Sequence, residues 1–164
     1  MLCIMALSAS IAPFTGQNYG RGNYDRVKEG IRFAYRFALG YGLIVAVLMF
    51  VLSPYIAAAF TDDPTATNAT LMHMRMVPWS YLGLGIGMIS VSAFNAIGKP
   101  IPAMWISLTR TILVYAPMAF FLAWWIGIFG IFLAAFIANL ASGTLGFFWF
   151  RSVLFSWRAE PQVA

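Results

Sequence analysis

The amino-acid sequence predicts an all-α integral membrane protein with four complete transmembrane helices and a truncated N-terminal helix. Of its 164 residues, 62% are apolar, 17% are aromatic and only 9% are charged, and the mean hydropathy is +0.81. Soluble domains carry about 25% charged residues, which they need to cover their surface. Disordered chains are poor in aromatic residues and rich in charge. The composition therefore excludes both of these classes.

Long uncharged stretches locate the predicted spans. Residues 37–61 contain 25 residues without a charge, residues 76–98 contain 23, and residues 111–150 contain 40. Because about 20 residues cross the hydrocarbon, the third stretch holds two helices, joined by a hairpin at the Trp-Trp-Ile-Gly sequence that begins at Trp124. The four spans are expected at roughly residues 37–60, 76–98, 101–124 and 129–150.

The N-terminal part of the chain differs from these spans. Residues 1–18 are short for a crossing, so we expect the second half of a transmembrane helix whose beginning is missing. Residues 19–36 are amphipathic, and Lys28, Arg32 and Arg36 lie one helical turn apart, where lipid headgroups can meet them. The predicted organisation is therefore a truncated transmembrane helix (residues 1–18), a cytoplasmic amphipathic segment (residues 19–36), a four-helix transmembrane region (residues 37–150) and a cytoplasmic tail (residues 151–164).

The basic residues predict the orientation of the chain. Cytoplasmic loops of membrane proteins carry an excess of Lys and Arg. If residues 19–36, Lys99 and the C-terminus are cytoplasmic, eight of the ten Lys and Arg residues lie on that side. The other side then holds Asp62 and Asp63, either of which can cap a helix that starts at Pro64 and continues into the second span. We therefore expect a multi-pass protein of the cell (inner) membrane with a cytoplasmic C-terminus.

Residues that support catalysis or cofactor binding are scarce. The chain has one histidine, His73, and one cysteine, Cys3, which predict no metal site, no cofactor and no enzyme. None of its five acidic residues lies within a predicted span, so no proton relay is expected from this chain alone. Its basic residues lie between apolar runs, so the expected surroundings are membrane lipids and not nucleic acid.

Small and polar residues form stripes on two of the spans. Gly83 and Gly87 make a GxxxG pattern, and small residues allow transmembrane helices to approach closely. Asn139, Gly143 and Gly146 belong to a similar stripe on the last span. We expect these five residues to contribute to helix packing.

Three polar residues are candidates for substrate binding or gating. Arg110 lies about 14 Å into the third span, where burial costs about 2.5–3.5 kcal/mol on insertion scales unless the guanidinium snorkels or finds partners. Further along the same span, Pro117 leaves the carbonyl of Leu113, one turn before it, without its helical donor. Arg110 is therefore either a snorkelling or carbonyl-bonded arginine or a substrate-contacting group. Tyr81 and Asn95 either line a cavity or contact neighbouring helices.

Several short motifs resemble those of multidrug and toxic compound extrusion (MATE) transporters. Residues 13–26, Pro-Phe-Thr-Gly-Gln-Asn-Tyr-Gly-Arg-Gly-Asn-Tyr-Asp-Arg, resemble the junction after the second helix of a six-helix lobe. Residues 60–64, Phe-Thr-Asp-Asp-Pro, are similar to the turn after the third helix. Residues 93–100 resemble the glycine-containing end of the fourth helix, residues 110–117 the Arg-then-Pro pattern of the fifth, and residues 137–151 the close of the second lobe.

The resemblance implies the tail of helix 8 and helices 9 to 12 of the second lobe. The implied function is a partial secondary active antiporter that exports cationic or amphipathic compounds, such as drugs and toxins, in exchange for protons or sodium ions. The implied partners are these small substrates and an N-terminal lobe that the chain does not contain, since the two lobes rock about a cavity at the membrane midplane. Because residues 76–98 hold no acid, the resemblance places the coupling acid in the first lobe.

Two alternatives remain open from the sequence. The first is a lipid-linked saccharide flippase of the same fold group, whose large anionic cargo would require more basic residues than Arg110 supplies. The second is a stand-alone four-helix membrane scaffold or assembly subunit that oligomerises through Gly83 and Gly87.

Overall fold

The computed structural model describes residues 1–60 and 63–157, and every secondary-structure element in these two ranges is helical. Asp62, one of the two predicted caps, and residues 158–164 of the predicted tail, with Arg158, lie outside the described residues. The α-helices are α1 (Leu2–Gly20), α2 (Tyr24–Phe60), α3 (Pro64–Met76), α4 (Tyr81–Ala96), α5 (Pro100–Leu108), α6 (Ala116–Ile126) and α7 (Ile128–Ser156).

Within the described residues, four helical spans are long and apolar enough to cross a membrane, which confirms the predicted fold class. Two of these spans are single helices, α2 and α7. The other two are composite: α3 and α4 are joined by a 3₁₀ turn at Val77–Ser80, and α5 and α6 by a π-helical segment at Thr109–Tyr115. Helix α1, with 19 residues, is not among the four.

Helix α2 runs through the predicted boundary between residues 36 and 37 without a break. It has 37 residues, so the amphipathic segment is the first part of the spanning helix and its basic side chains are held on a rigid rod. Valine, isoleucine, alanine and tyrosine on one face of this part are buried against the rest of the chain. The change from an amphipathic to an apolar sequence therefore marks a change of environment and not the end of an element.

Local chemistry explains where the other spans start and turn. The carboxylate of Asp63 accepts hydrogen bonds from the backbone N–H groups of Thr65 and Ala66, at 3.3 and 3.1 Å, and so caps the helix that begins at Pro64. At the turn between the third and fourth spans, Gly127 has a φ of 63°, a conformation that L side chains rarely adopt. This turn separates α6 from α7 and lies beside the exposed Trp124 and Trp125.

Helix α4 lies at the centre of the packing and contacts α1, α2, α5 and α7. Its buried Phe94 packs against Phe150 of α7, with 5.0 Å between ring centroids. At the same end of the molecule Trp157 packs against Tyr19 and Tyr24, at 5.2 and 5.1 Å. The aromatic cluster joins the end of α1, the start of α2 and the end of α7, as expected for rings near a membrane interface.

Candidate functional site

A small cavity lies between α1, α4, α5, α7 and the π-helical segment. Its volume is about 180 Å³, which is below the range of about 300–1,000 Å³ for sites that enclose a drug-sized ligand. It is large enough for one polar group of a larger compound. Its polar lining consists of Ser8, Ser92, Ser107, Arg110 and Ser142.

Serine hydroxyls tie the walls of this cavity together. Ser8 Oγ donates to the backbone oxygen of Met88 at 3.1 Å and lies 2.7 Å from Ser92 Oγ. Because a hydroxyl has one hydrogen, Ser92 is then the donor to Ser8. Ser142 Oγ donates to the backbone oxygen of Asn139 at 3.0 Å. With their hydrogens used in the wall, these hydroxyls offer mainly acceptor lone pairs to a ligand.

Arg110 supplies the charge of the cavity. It is half-buried at the second residue of the π-helical segment. Across residues 1–60 and 63–157, no carboxylate pairs with its guanidinium and no side-chain hydrogen bond from it is present. The fork of five N–H donors, which stays protonated in proteins, therefore borders the cavity with its donors available to a ligand.

The π-helical segment accounts for the position of this arginine. The backbone N–H of Ala116 donates to Thr111 O, five residues earlier. Pro117 has no N–H, and its ring would clash with the carbonyl four residues before it in a regular α-helix. The wider turn accommodates the proline, and such π segments often occur at functional sites. The freed carbonyl predicted at Leu113 thus corresponds to a change of helix type.

The structure does not bring Tyr81 and Asn95 to the same cavity as Arg110. Tyr81 is half-buried at the first residue of α4, whereas Asn95 is exposed near the last. They are separated by about 21 Å along the helix at 1.5 Å per residue, and neither belongs to the cavity lining. A role for either in binding or gating stays a prediction.

The five candidate packing residues meet at the interface between α4 and α7. A Cβ added to Gly83 would lie 2.7 Å from the backbone oxygen of Asn139, and one added to Gly143 would overlap the backbone of Gly83. A Cβ on Gly87 would lie 3.0 Å from Ser142 Oγ, and one on Gly146 would lie 2.8 Å from Ser90 Oγ. These distances are those of close helix approach through small residues.

This interface bears on the scaffold alternative, which requires the same glycines to face a second copy of the chain. In the part of the chain that the structure describes, Gly83 and Gly87 face α7 of their own chain. Asn139 Nδ2 adds a hydrogen bond to Ser80 Oγ at 2.9 Å. An intramolecular partner therefore fills the GxxxG face in the described residues, which weighs against the scaffold alternative.

Sequence reasoning did not identify Ser8 as a site residue. Its signal was a hydroxyl within the apolar first helix, but a single serine there is common and its partner Ser92 is 84 residues away. Tyr35 was not identified either, although its hydroxyl lies 2.7 Å from Ser90 Oγ. Only the folded arrangement pairs these groups.

Comparison with known proteins places the chain in a family. The family model for MatE matches residues 1–121. The chain belongs to the MatE family. Members of the family are transporters, and the four spans make this chain a multi-pass membrane protein.

This MatE chain is similar to a curated protein and to a solved structure from two other organisms. It is 30% identical over 143 residues to a protein of Shewanella oneidensis named as an FAD transporter, covering 87% of the chain and 32% of that protein. A crystal structure of the Vibrio cholerae MATE transporter VcmN in the bent form superposes with a TM-score of 0.87 at 29% identity, covering 95% of the chain and 36% of that structure.

A third similarity shows the fold of this MatE chain alone. A MOP superfamily transporter from Pyrococcus furiosus superposes with a TM-score of 0.85 at 20% identity, covering 94% of the chain and 35% of that structure. The MatE chain therefore spans about a third of the length of each of these three proteins.

Proposed function

We propose that this chain is the C-terminal part of the second lobe of a secondary active antiporter, which exports cationic or amphipathic compounds in exchange for protons or sodium ions. An N-terminal lobe supplies the other wall of the transport cavity and the coupling acid. The transporter lies in the cell (inner) membrane with the C-terminus of this chain in the cytoplasm.

The observation that supports a substrate pathway through this chain is the cavity beside Arg110. It combines serine acceptors with a guanidinium inside a composite span whose helix changes type at that point. Transporters bind substrate near the midplane on irregular helices. A charged group within a span is costly and commonly belongs to a substrate pathway.

A second candidate cargo is an anionic amphipathic compound such as a flavin nucleotide. Arg110 is the charged residue of the cavity lining, and arginine binds phosphate oxygens in bidentate geometry. The relative from Shewanella oneidensis, named as an FAD transporter, supports the same candidate. The cationic and the anionic cargo carry opposite charges next to Arg110. Substitutions of Arg110 therefore distinguish between them.

The experiment compares export of a cationic dye, ethidium, with export of FAD by the intact transporter in vesicles. If the cargo is anionic, Arg110→Gln lowers FAD export by about 10- to 100-fold, because hydrogen bonds to charged groups are worth about 1.5–3 kcal/mol. Arg110→Lys keeps part of the FAD export, because it preserves the positive charge. If the cargo is cationic, Arg110→Gln leaves ethidium export unchanged or raises it.

Arg21→Gln is the matched control, since it removes one exposed charge outside the cavity. FAD export by Arg110→Gln at the wild-type rate, at equal expression, would show that Arg110 does not contact an anionic cargo. Collapse of the proton gradient and of the sodium gradient in separate samples identifies the coupling ion. Export that survives both collapses would contradict antiport.

The proposed lobe arrangement is tested by the native size of the protein. An antibody raised against residues 158–164 should detect a band far above 18.1 kDa, the mass of this chain, in source membranes. A band at that mass would require a separate chain to complete the cavity.

A further inference from the structure

A second, larger groove lies between α2 and α7 at the end of the molecule that carries the aromatic cluster. Its volume is about 330 Å³, and it is distinct from the cavity beside Arg110. Three cations line it: Lys28 and Arg32, one turn apart on α2, and Arg151 near the end of α7. The positive charges therefore come from two antiparallel helices that converge on one space.

Two of these cations are already held in place. Lys28 Nζ pairs with Asp25 Oδ1 at 3.0 Å, and the Lys28 side chain is only 15% exposed. The guanidinium of Arg151 lies over the ring of Phe155, 5.4 Å from its centroid. Arg32 is exposed, and no carboxylate of residues 1–60 or 63–157 pairs with it. With Asp25 counted, the groove keeps a net positive charge of about two, largely without a counter-charge.

The lining changes from charged to apolar along the groove. Toward the interior of the span, Tyr35 packs against Phe147 with 5.8 Å between ring centroids. Tyr35 is buried, and its hydroxyl hydrogen-bonds to Ser90 of α4. This bond fixes the inner end of the groove against the centre of the molecule.

We propose that this groove binds an anionic phospholipid, with its phosphate between Arg32 and Arg151 and the start of an acyl chain against Phe147. A soluble anion would bind to the cations but would make no contact with the aromatic end of the groove. A zwitterionic lipid would use the aromatic end but leave the net positive charge unpaired. Basic pockets between transmembrane helices at the cytoplasmic surface bind such headgroups. The site is independent of the cargo of the transporter.

The test is native mass spectrometry of the intact transporter, purified in mild detergent and titrated with phosphatidylglycerol or phosphatidylcholine. Wild type should bind phosphatidylglycerol at least tenfold more tightly than phosphatidylcholine. Arg32→Gln with Arg151→Gln should weaken phosphatidylglycerol binding about 10- to 30-fold, since each basic residue near the surface contributes about a fivefold attraction. The charge-preserving pair Arg32→Lys with Arg151→Lys should bind within a fewfold of wild type.

The control removes the same charge from positions outside the groove, with Arg26→Gln and Arg36→Gln, both exposed on α2. The control should retain wild-type affinity. Equal losses in the two double-glutamine variants would show general interfacial attraction and overturn the site. Equal affinities for the two lipids would overturn the choice of an anionic headgroup. Inorganic phosphate that displaces phosphatidylglycerol at millimolar concentration would show a site for free anions and not for lipid.

Discussion

At the scale of single residues, Gly143 allows α7 to approach α4 as closely as it does. A Cβ at this position would overlap the backbone of Gly83, and backbone atoms cannot move aside as a flexible side chain does. We expect Gly143→Ala to destabilise the intact protein by about 1–3 kcal/mol, the usual cost of overpacking. Thermal unfolding in mild detergent measures this as a lower midpoint.

Gly40→Ala is the matched control for that substitution. Gly40 is also helical and has nothing within 4 Å of an added Cβ, so alanine should leave the midpoint unchanged or raise it by the equivalent of about 0.4–1 kcal/mol. A Gly143→Ala protein that unfolds at the wild-type temperature would show that α4 and α7 are not in close contact in the membrane.

Individual residues show what the sequence could and could not predict. The stripes at Gly83 and Gly143 were visible because small residues in a span have few other uses. Their mutual contact was not visible, because helical periodicity identifies a face but not the helix that covers it. The pairing of Ser8 with Ser92 was hidden for the same reason, since hydroxyls occur on many helix faces and only the fold selects partners.

At the scale of elements, Pro117 determines the form of the third span. An alanine at this position would supply the N–H that proline lacks and would remove the ring clash, and both of these features favour the π-helical segment. Pro117→Ala should therefore raise the thermal midpoint and lower export, because conversion to a regular α-helix turns Arg110 away from the serines of the cavity. Export per mole of purified protein in vesicles, measured beside thermal unfolding, tests both effects.

The control for that prediction is Pro102→Ala, within the first turn of α5. A proline there replaces no intrahelical donor, since the first N–H groups of a helix have no partner. It should change neither stability nor export substantially. If Pro117→Ala is as active as wild type and equally stable, the π-helical segment is not what positions Arg110.

The positions of the helices could be predicted from the sequence more accurately than the way in which consecutive helices are joined. A proline in a span predicts a carbonyl without its helical donor. The structure has a π-helical segment there, which is one of several ways to relieve the clash between the proline ring and the preceding turn. A switch from an amphipathic to an apolar pattern predicts two environments, yet α2 passes through both as one helix. The hydrophobic pattern of a sequence indicates what surrounds a helix. Whether the helix continues depends on the backbone, through residues such as proline and glycine.

At the scale of the whole molecule, the fold class was predictable because apolar length is a direct physical requirement of the bilayer. The central position of α4 was not, since an apolar sequence shows only that a span can enter the bilayer, and lipid offers no hydrophobic drive between spans. The groove between α2 and α7 was missed although Lys28 and Arg32 were already placed near headgroups. Its third cation, Arg151, lies more than 100 residues further along the chain.

The orientation of the whole molecule gives the last prediction. With Cys3 replaced by serine, single cysteines are introduced at Gly20, which has nothing within 4 Å of an added Cβ, and at Trp125, which is 82% exposed. Neither change alters a charge, so the excess of basic residues that favours a cytoplasmic position is retained. A membrane-impermeant maleimide on intact cells should label Trp125→Cys and not Gly20→Cys, and both should be labelled after permeabilisation. The reverse pattern would invert the proposed topology and place the lipid groove on the outer side, where the positive-inside rule predicts no excess of cations.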